Sequence, residues 1–169
     1  MRTRKLTLMA LLSAIALILF TVEAQIPALV PIAGIKIGLS NIVTVFAVFA
    51  LGAWEGSLIL AVRIVLGAVF SGNFSTIFYS AAGGLAAILV TILLRKVLTQ
   101  KQIWVAGCLG AIAHSMGQMA MAIAISGTPG LAIYLPVMIV CSIITGLFTG
   151  LCAQFLLNRR EDLWKTISK

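Results

Sequence analysis

The chain has 169 residues, of which 62% are hydrophobic and only 9% charged, and its mean hydropathy is +1.17. These values exclude an ordinary soluble domain and are typical of a single integral membrane domain. The net charge of +8 comes without a basic face or a nucleic-acid-binding module, so no nucleic-acid partner is expected.

Long apolar runs predict helices, because strands that cross a membrane alternate apolar and polar residues over about ten positions. A helix that crosses the bilayer needs about 20 residues. The sequence therefore predicts an all-α bundle of six transmembrane helices in one domain, residues 1–169. The predicted ranges, in chain order, are 6–22, 35–53, 56–71, 75–94, 103–126 and 131–157, with a tail at 158–169. Gly, Pro or charged residues interrupt the apolar runs at each predicted break.

The first predicted helix also has features of a signal peptide. Basic residues, an apolar run and the segment 22–24 follow one another in the appropriate order. The apolar run is longer than the usual core of a signal peptide, and its removal would leave an odd number of spans. We therefore expect the first helix to be retained.

The basic residues predict the orientation of the bundle. Ten of the twelve Lys and Arg residues fall on one side of the predicted layout, together with both termini. The positive-inside rule places that side in the cytoplasm. The exceptions are Lys36, at the outer end of the second helix, and Arg63, within the third. We expect a multi-pass protein of the cell (plasma) membrane whose basic flanks contact membrane lipids.

Few residues in or beside the predicted spans can carry chemistry. Ionisable groups in a bilayer usually face a bundle interior, a partner or a water-filled cavity. The candidates for substrate binding are Glu23, Lys36, Asn41, Arg63, Asn73, Tyr79, His114 and Gln118.

Several of these candidates also have a purely structural interpretation. Lys36 can extend to the membrane interface, while Asn41 bonds a neighbouring helix. Arg63 can pair with Glu23 or Glu55. His114 and Gln118, four residues apart, share a helix face and can bond another helix.

The segment between the first two predicted helices, EAQIPALVPIAG at 23–34, contains two prolines and many apolar residues. This composition favours a lid that packs over the outer surface of the bundle. The polar cluster at 71–80 and the outer half of the fifth helix lie on the same side. Together they predict a pocket that opens outward, with Lys36 at its rim and Asn41 on its upper wall.

No metal site, cofactor or catalytic centre is expected. The three cysteines, Cys108, Cys141 and Cys152, are widely spaced, and there is one histidine, which disfavours a structural zinc site. The sequence has no P-loop, so any coupling to ATP would have to come from another subunit.

The helix layout, the capping loop and the motif P-x-x-G-x-K-x-G-L-x-N at 31–41 resemble the S-components of energy-coupling-factor (ECF) transporters. Those are the substrate-binding membrane subunits of vitamin importers. The stretch 31–72 is most similar to the subfamily labelled Gx transporter or heptaprenyl diphosphate synthase component I. The resemblance implies docking on a coupling transmembrane subunit with ATPases through an Ala-x-x-x-Ala signature, which maps to Ala10 and Ala14. The same small-x-x-x-small spacing occurs elsewhere in the chain, where it generally indicates helix packing.

Two functions are compatible with these features. The first is a substrate-binding and transport subunit, in which Lys36 and Arg63 attract an anionic group and polar neighbours bond it. The second is a non-catalytic membrane partner of a prenyl, quinone or flavin-linked redox system. Prenyl diphosphate synthases hold magnesium with aspartate-rich motifs, whereas the one aspartate of this chain, Asp162, lies in the tail. Catalysis by this chain is therefore not expected.

Overall fold

A computed structural model of the chain describes residues 2–25, 38–72 and 74–167. Over these ranges the backbone is mostly helical and contains no strand, which confirms the all-α fold class for this part of the chain. The α-helices are α1 (Arg2–Gln25), α2 (Leu39–Ala50), α3 (Ala53–Ser71), α4 (Ser75–Arg95), α5 (Ile103–Ser126) and α6 (Leu135–Ile167). Short 3₁₀ helices at Gln100–Gln102 and Pro129–Tyr134 precede α5 and α6.

Five of the described helical stretches are long and apolar enough to cross a membrane. They are Thr3–Glu23, Ala53–Ser71, Ile77–Arg95, Gln100–Ser126 and Pro129–Arg159. The chain is therefore a multi-pass membrane protein by the length and composition of its helices. Helix α2 is different, because its 12 residues rise only about 18 Å, against about 30 Å for the hydrocarbon core.

Helix α2 is shorter than the predicted range of 35–53 because a glycine in an unusual conformation stands at each end. Gly38 precedes the helix with a φ of 75°, and Gly52 follows it with a φ of 140°. Glycine adopts such positive φ angles readily, whereas a side chain opposes them. The helix is thus limited to Leu39–Ala50.

Other helix boundaries differ less from the prediction. Helix α5 spans the predicted range, and α1 extends beyond 6–22 at both ends. Helix α3 begins at Ala53, which places Glu55 in its first turn rather than in a loop. The backbone of α6 remains helical to Ile167, so most of the predicted tail continues the last helix.

The short helix α2 lies at the centre of the bundle, where each buried cluster includes one of its valines. Val43 packs with residues of α1 and α3, Val45 with residues of α5 and α6, and Val48 with residues of α3 and α4. Because lipid tails are as apolar as these side chains, close van der Waals packing between the helices stabilises the arrangement. The beginning of α2 is consequently held inside the bundle.

Glycines allow α5 to approach its two neighbours closely. A Cβ atom on Gly107 would lie 2.7 Å from the carbonyl oxygen of Gly146 in α6. A Cβ atom on Gly117 would lie 2.6 Å from the carbonyl oxygen of Ala82 in α4. Small residues are common where membrane helices pack backbone to backbone. The small-x-x-x-small spacing of Gly146 and Gly150 therefore serves helix packing.

The two ends of the bundle differ in their polar contacts. At one end (the Lys5 end), Lys5 of α1 forms an ion pair with Glu55 of α3. Arg95, at the end of α4, lies at the same end, since its Nη1 is 3.8 Å from where a Cβ on Gly52 would stand. Glu23 is 18 residues beyond Lys5 along α1, about 27 Å at 1.5 Å per residue, and marks the opposite end.

Candidate functional site

A cavity opens at the N-terminus of α2, at the end of the bundle away from Lys5. The cavity is small: about 20 Å³ is open to the centre of a water molecule, and about 300 Å³ is empty when the open solvent at its mouth is included. Helices α1, α3, α4 and α5 contribute the other walls, so the cavity lies among five of the six helices. The described residues that line it are Phe20, Glu23, Gly38, Ser40, Asn41, Arg63, Ser80 and His114.

Glu23, in the last turn of α1, stabilises the start of α2. Its side chain is only 6% exposed. Its Oε1 accepts a hydrogen bond from the backbone N–H of Gly38, and its Oε2 accepts one from the N–H of Leu39 at 3.1 Å. The first N–H groups of a helix have no partner within the helix and carry a partial positive charge. A carboxylate from another helix therefore supplies the cap of α2.

Arg63, near the middle of α3, is the most deeply placed charge of the cavity. Its side chain is 5% exposed, and its Nη1 donates a hydrogen bond to the hydroxyl of Ser40. The guanidinium carbon lies 5.6 Å from the centre of the Phe20 ring, within range of a cation–π interaction. Among the described residues, its buried Nε has no hydrogen-bond partner. The guanidinium is thus anchored through Nη1, and its Nε is buried without a described partner.

The structure distinguishes between the two structural partners predicted for Arg63. Glu55 pairs with Lys5 instead, and this is the one ion pair within 4.0 Å in the described ranges. Glu23 lines the same cavity as Arg63, and the two do not form a direct ion pair. A buried cation and a buried anion therefore face one cavity, each with its own anchor on α2.

The remaining polar groups come from α2, α4 and α5. The backbone N–H of Asn41 bonds the carbonyl oxygen of Gly38 at 2.8 Å, which holds the first turn of α2. Ser80 lies in the second turn of α4, and His114 lies near the middle of α5. Gly83 of α4 lets His114 approach, since a Cβ there would lie 2.9 Å from the imidazole Cε1. The cavity therefore combines a cation, an anion, an amide, hydroxyls and an imidazole.

The structure brings four of the eight predicted site residues to this cavity: Glu23, Asn41, Arg63 and His114. Lys36 and Asn73 lie outside the described residues, as does most of the predicted lid at 23–34. Tyr79 and Gln118 are not among the described lining residues. Gln118 instead packs against Gly83, where a Cβ would lie 2.7 Å from its Cγ. Ala10 and Ala14 are both exposed on α1.

Sequence reasoning did not single out Phe20, Gly38 or Ser40, whereas Ser80 belongs to the polar cluster at 71–80 that was expected at the pocket. Phe20 stands three residues before Glu23, a spacing that places two side chains on one helix face and could have suggested it. Ser40 carries no comparable signal, because a serine beside apolar residues in a helix usually bonds its own backbone. Its role depends on Arg63, which is 23 residues away in the sequence.

Within the described ranges, no three His, Cys, Asp or Glu side chains lie close enough together to hold a metal ion. The groups at the cavity are instead suited to binding by hydrogen bonds and charge. Arg63, Asn41, Ser80 and His114 can donate, and Glu23 can accept. A few convergent polar groups in an otherwise apolar bundle are typical of a small-molecule site.

A known protein family matches most of the chain. The family profile described as "Heptaprenyl diphosphate synthase component I" matches residues 12–156, which is most of the chain. No curated protein and no solved structure gives a significant match. The matched range includes every described residue of the cavity.

Proposed function

The chain belongs to the heptaprenyl diphosphate synthase component I family, and we propose that it is a membrane-embedded binding and transport subunit for a small anionic or amphipathic molecule. In this proposal it acts as an S-component of an ECF transporter does. It captures the molecule in the cavity at the start of α2 and releases it on the cytoplasmic side.

The observation that carries the proposal is the position of Arg63. A guanidinium near the middle of a helix of spanning length is costly unless it has a partner or a function. One hydrogen bond to Ser40 fixes its position, and its buried Nε has no partner among the described residues. A ligand that accepts a hydrogen bond from the guanidinium would supply the missing partner, which supports a binding function for the cavity.

The other cavity residues have complementary roles in this proposal. Asn41, Ser80 and His114 hydrogen-bond the polar part of the ligand, while Phe20 and the apolar walls contact its hydrophobic part. Glu23 holds the start of α2, and through it Ser40 and Asn41, in place. Lys36 and Asn73 are proposed to act at the mouth of the cavity.

Energy for transport would come from other subunits. The sequence has no P-loop, and the proposed partners are a coupling transmembrane subunit and its ATPases. Exposed Ala10 and Ala14 on α1 offer a surface of small side chains where such a subunit can approach closely. The protein is proposed to lie in the plasma membrane, with both termini on the cytoplasmic side.

Native mass spectrometry of the gently solubilised full-length protein tests the binding function. Wild type and Arg95→Gln, which removes an exposed arginine at the Lys5 end, should retain the same small molecule. Arg63→Gln, which keeps a donor for Ser40 but loses the charge, should release it. Retention by all three proteins, or by none, would contradict the proposed role of the cavity.

A second function is favoured by the family description itself, which names one component of a synthase. In this alternative the chain is a non-catalytic membrane partner of a prenyl diphosphate synthase or of a related quinone or redox protein. Affinity purification at native expression levels separates the two. Recovery of a soluble prenyl synthase with an empty cavity supports the second function, and recovery of ATPases with a bound small molecule supports the first.

A further inference from the structure

We propose that Phe20 is a positioning residue for Arg63: its ring, which packs against Gly67, fixes the guanidinium at the cavity before any ligand binds. Phe20 lines the cavity, and Gly67 is not among the described lining residues. The positioning is a property of the fold, and its consequence for a ligand rests on the proposed binding function.

One hydrogen bond does not fix the orientation of the Arg63 side chain. Arg63 donates from Nη1 to the hydroxyl of Ser40, and its Nε has no partner among the described residues. A guanidinium held at a single nitrogen can turn about that contact, because an arginine side chain has many rotamers. Arginines in spanning helices can also extend toward the membrane interface. A second contact is therefore needed to keep the charge at the cavity.

The ring of Phe20 supplies this second contact. The centre of the ring lies 5.6 Å from Cζ of Arg63, the carbon that joins the three guanidinium nitrogens. A cation–π attraction is stronger where water is excluded, and the Arg63 side chain is 5% exposed. The ring attracts the charge without supplying an oxygen acceptor. The Nε donor therefore remains available to a ligand.

Gly67 provides the space for the ring. It lies four residues after Arg63 in α3, so the two positions share one face of that helix. A Cβ atom on Gly67 would lie 2.9 Å from Cε1 and 3.1 Å from Cδ1 of Phe20. The ring thus occupies the space that a side chain at position 67 would need. Any such side chain would push the ring away from its present position.

Helix α1 holds Phe20 from its other side. Leu12 and Ala16, eight and four residues earlier, are buried in one cluster with residues of α2 and α3. Glu23, three residues later, accepts hydrogen bonds from the start of α2. These spacings place all four side chains toward one side of α1. The ring is consequently located between anchored turns of its own helix.

A guanidinium that is already fixed lowers the cost of binding. Side chains that are ordered before a ligand arrives lose little further rotamer freedom when it binds. Three helices contribute to this order, since α3 carries Arg63, α2 carries Ser40 and α1 carries Phe20. Loss of the ring should therefore weaken binding, although every hydrogen-bond donor of the cavity is still present.

The mobility of the Arg63 side chain tests the positioning without a ligand. The chain has six arginines, so the full-length protein labelled with ¹⁵N-arginine in nanodiscs should give few Nε–H signals. The signal of Arg63 is the one that Arg63→Lys removes. In wild type, we expect its NMR order parameter to be clearly higher than that of Arg95, which is exposed.

Two substitutions of Phe20 separate the ring from its bulk. Phe20→Leu keeps an apolar side chain without a ring and should lower the order parameter of Arg63 to about the value of Arg95. Phe20→Tyr keeps an aromatic ring and should preserve the wild-type value. Equal order of Arg63 in wild type and Phe20→Leu would overturn the positioning role, as would an equal loss in both variants.

A substitution of Gly67 displaces the ring while Phe20 and Arg63 both remain. Gly67→Ala should lower the order parameter of Arg63. The matched control is Gly84→Ala, which adds a methyl group to another contact of α3, 3.3 Å from the side chain of Leu60, and should leave Arg63 unchanged. An equal effect of the two substitutions would contradict the role of Gly67. If Gly67→Ala fails to fold, the two Phe20 variants decide the positioning role.

Native mass spectrometry of the same variants connects positioning to binding. Phe20→Tyr should retain the small molecule that co-purifies with wild type, and Phe20→Leu should lose it. Retention by Phe20→Leu, despite a mobile Arg63, would refute the consequence for binding. If wild type itself retains no molecule, the proposed binding function is contradicted, and the order parameters alone decide whether Phe20 positions Arg63.

Discussion

The guanidinium of Arg63, near the middle of α3, donates a hydrogen bond to the hydroxyl of Ser40, in the first turn of α2. Both side chains are buried, at 5% and 2% exposure. The contact ties the start of a short central helix to a charge at mid-depth in a spanning helix. It also holds Arg63 in position beside the cavity, so the same contact serves stability and the proposed binding site.

Removal of the hydroxyl should leave the buried guanidinium without its described hydrogen-bond partner. We expect Ser40→Ala to lower the free energy of unfolding by about 1–3 kcal/mol. The matched control is Ser71→Ala, since Ser71 is exposed and bonds only the carbonyl oxygen of Ala68 in its own helix. Denaturant titration in mixed micelles measures both variants. Equal small effects would show that the Arg63–Ser40 contact does not stabilise the fold.

Substitution of Glu23 should destabilise the first turn of α2, and the effect should grow with the number of carboxylate oxygens lost as hydrogen-bond acceptors. Glu23→Gln keeps one acceptor for the two N–H groups and should lose less than Glu23→Leu, which keeps none. Loss of a helix cap costs about 0.5–2 kcal/mol. Hydrogen exchange of the amides of Gly38 and Leu39, which donate to Glu23, reports this directly. Unchanged exchange in Glu23→Leu would contradict the capping role.

The αL conformation of Gly38 makes this position sensitive to any side chain. Gly38→Ala places a Cβ on a residue with a φ of 75°, which costs about 1–2 kcal/mol. The added Cβ would also lie 3.1 Å from Nδ2 of Asn41. Gly130→Ala is the matched control, because its added Cβ meets no atom within 4 Å. Thermal unfolding in nanodiscs should show a lower Tm for Gly38→Ala and an unchanged Tm for the control. Equal Tm values for the two variants would contradict the αL conformation of Gly38.

Close packing of α5 on α6 predicts a contrast between two glycines of one helix. Gly107→Ala puts a methyl group 2.7 Å from the carbonyl oxygen of Gly146, whereas Gly110→Ala meets Oγ1 of Thr91 at 3.2 Å. Overpacking of this kind costs about 1–3 kcal/mol. We expect Gly107→Ala to destabilise the protein clearly more than Gly110→Ala in the same denaturant titration. The reverse order would contradict the described packing of α5 and α6.

The predicted orientation can be tested by cysteine labelling in cells. In a background with Cys108, Cys141 and Cys152 replaced, a membrane-impermeant maleimide should label Ile133→Cys in intact cells. Val97→Cys should be labelled only after permeabilisation. Both positions are well exposed, at 77% and 78%, so accessibility within the protein does not differ between them. The opposite pattern would show that the bundle has the inverted orientation. Labelling of both cysteines in intact cells would contradict the predicted topology.

Much of the bundle could be predicted because apolar runs and their interruptions are local properties of the sequence. The range of α5 and the all-helical class follow directly from such runs. The length of α2 could not be predicted in the same way. An apolar run continues past its ends, and the helix is bounded by Gly38 and Gly52 at positive φ. The N–H of Gly38 is held by Glu23, which is 15 residues away in the sequence.

The candidate site was partly predictable for a related reason. Ionisable and amide side chains are rare in this composition, so their presence alone pointed to Glu23, Asn41, Arg63 and His114. Their arrangement was not predictable, because opposite charges at distant positions have several ways to pair. The sequence allowed Arg63 to pair with Glu55, and the structure places Lys5 there instead.

The sequence by itself determined that this protein is a helical membrane protein with a few unusual polar residues, since the hydrophobic effect acts on composition and periodicity. Only the tertiary structure decided which of those residues share a cavity and what each one contacts. Glu23 caps a helix that begins 16 residues later, and Arg63 reaches back 23 residues to Ser40. Such contacts depend on how helices pack in three dimensions, and no local pattern in the chain specifies them.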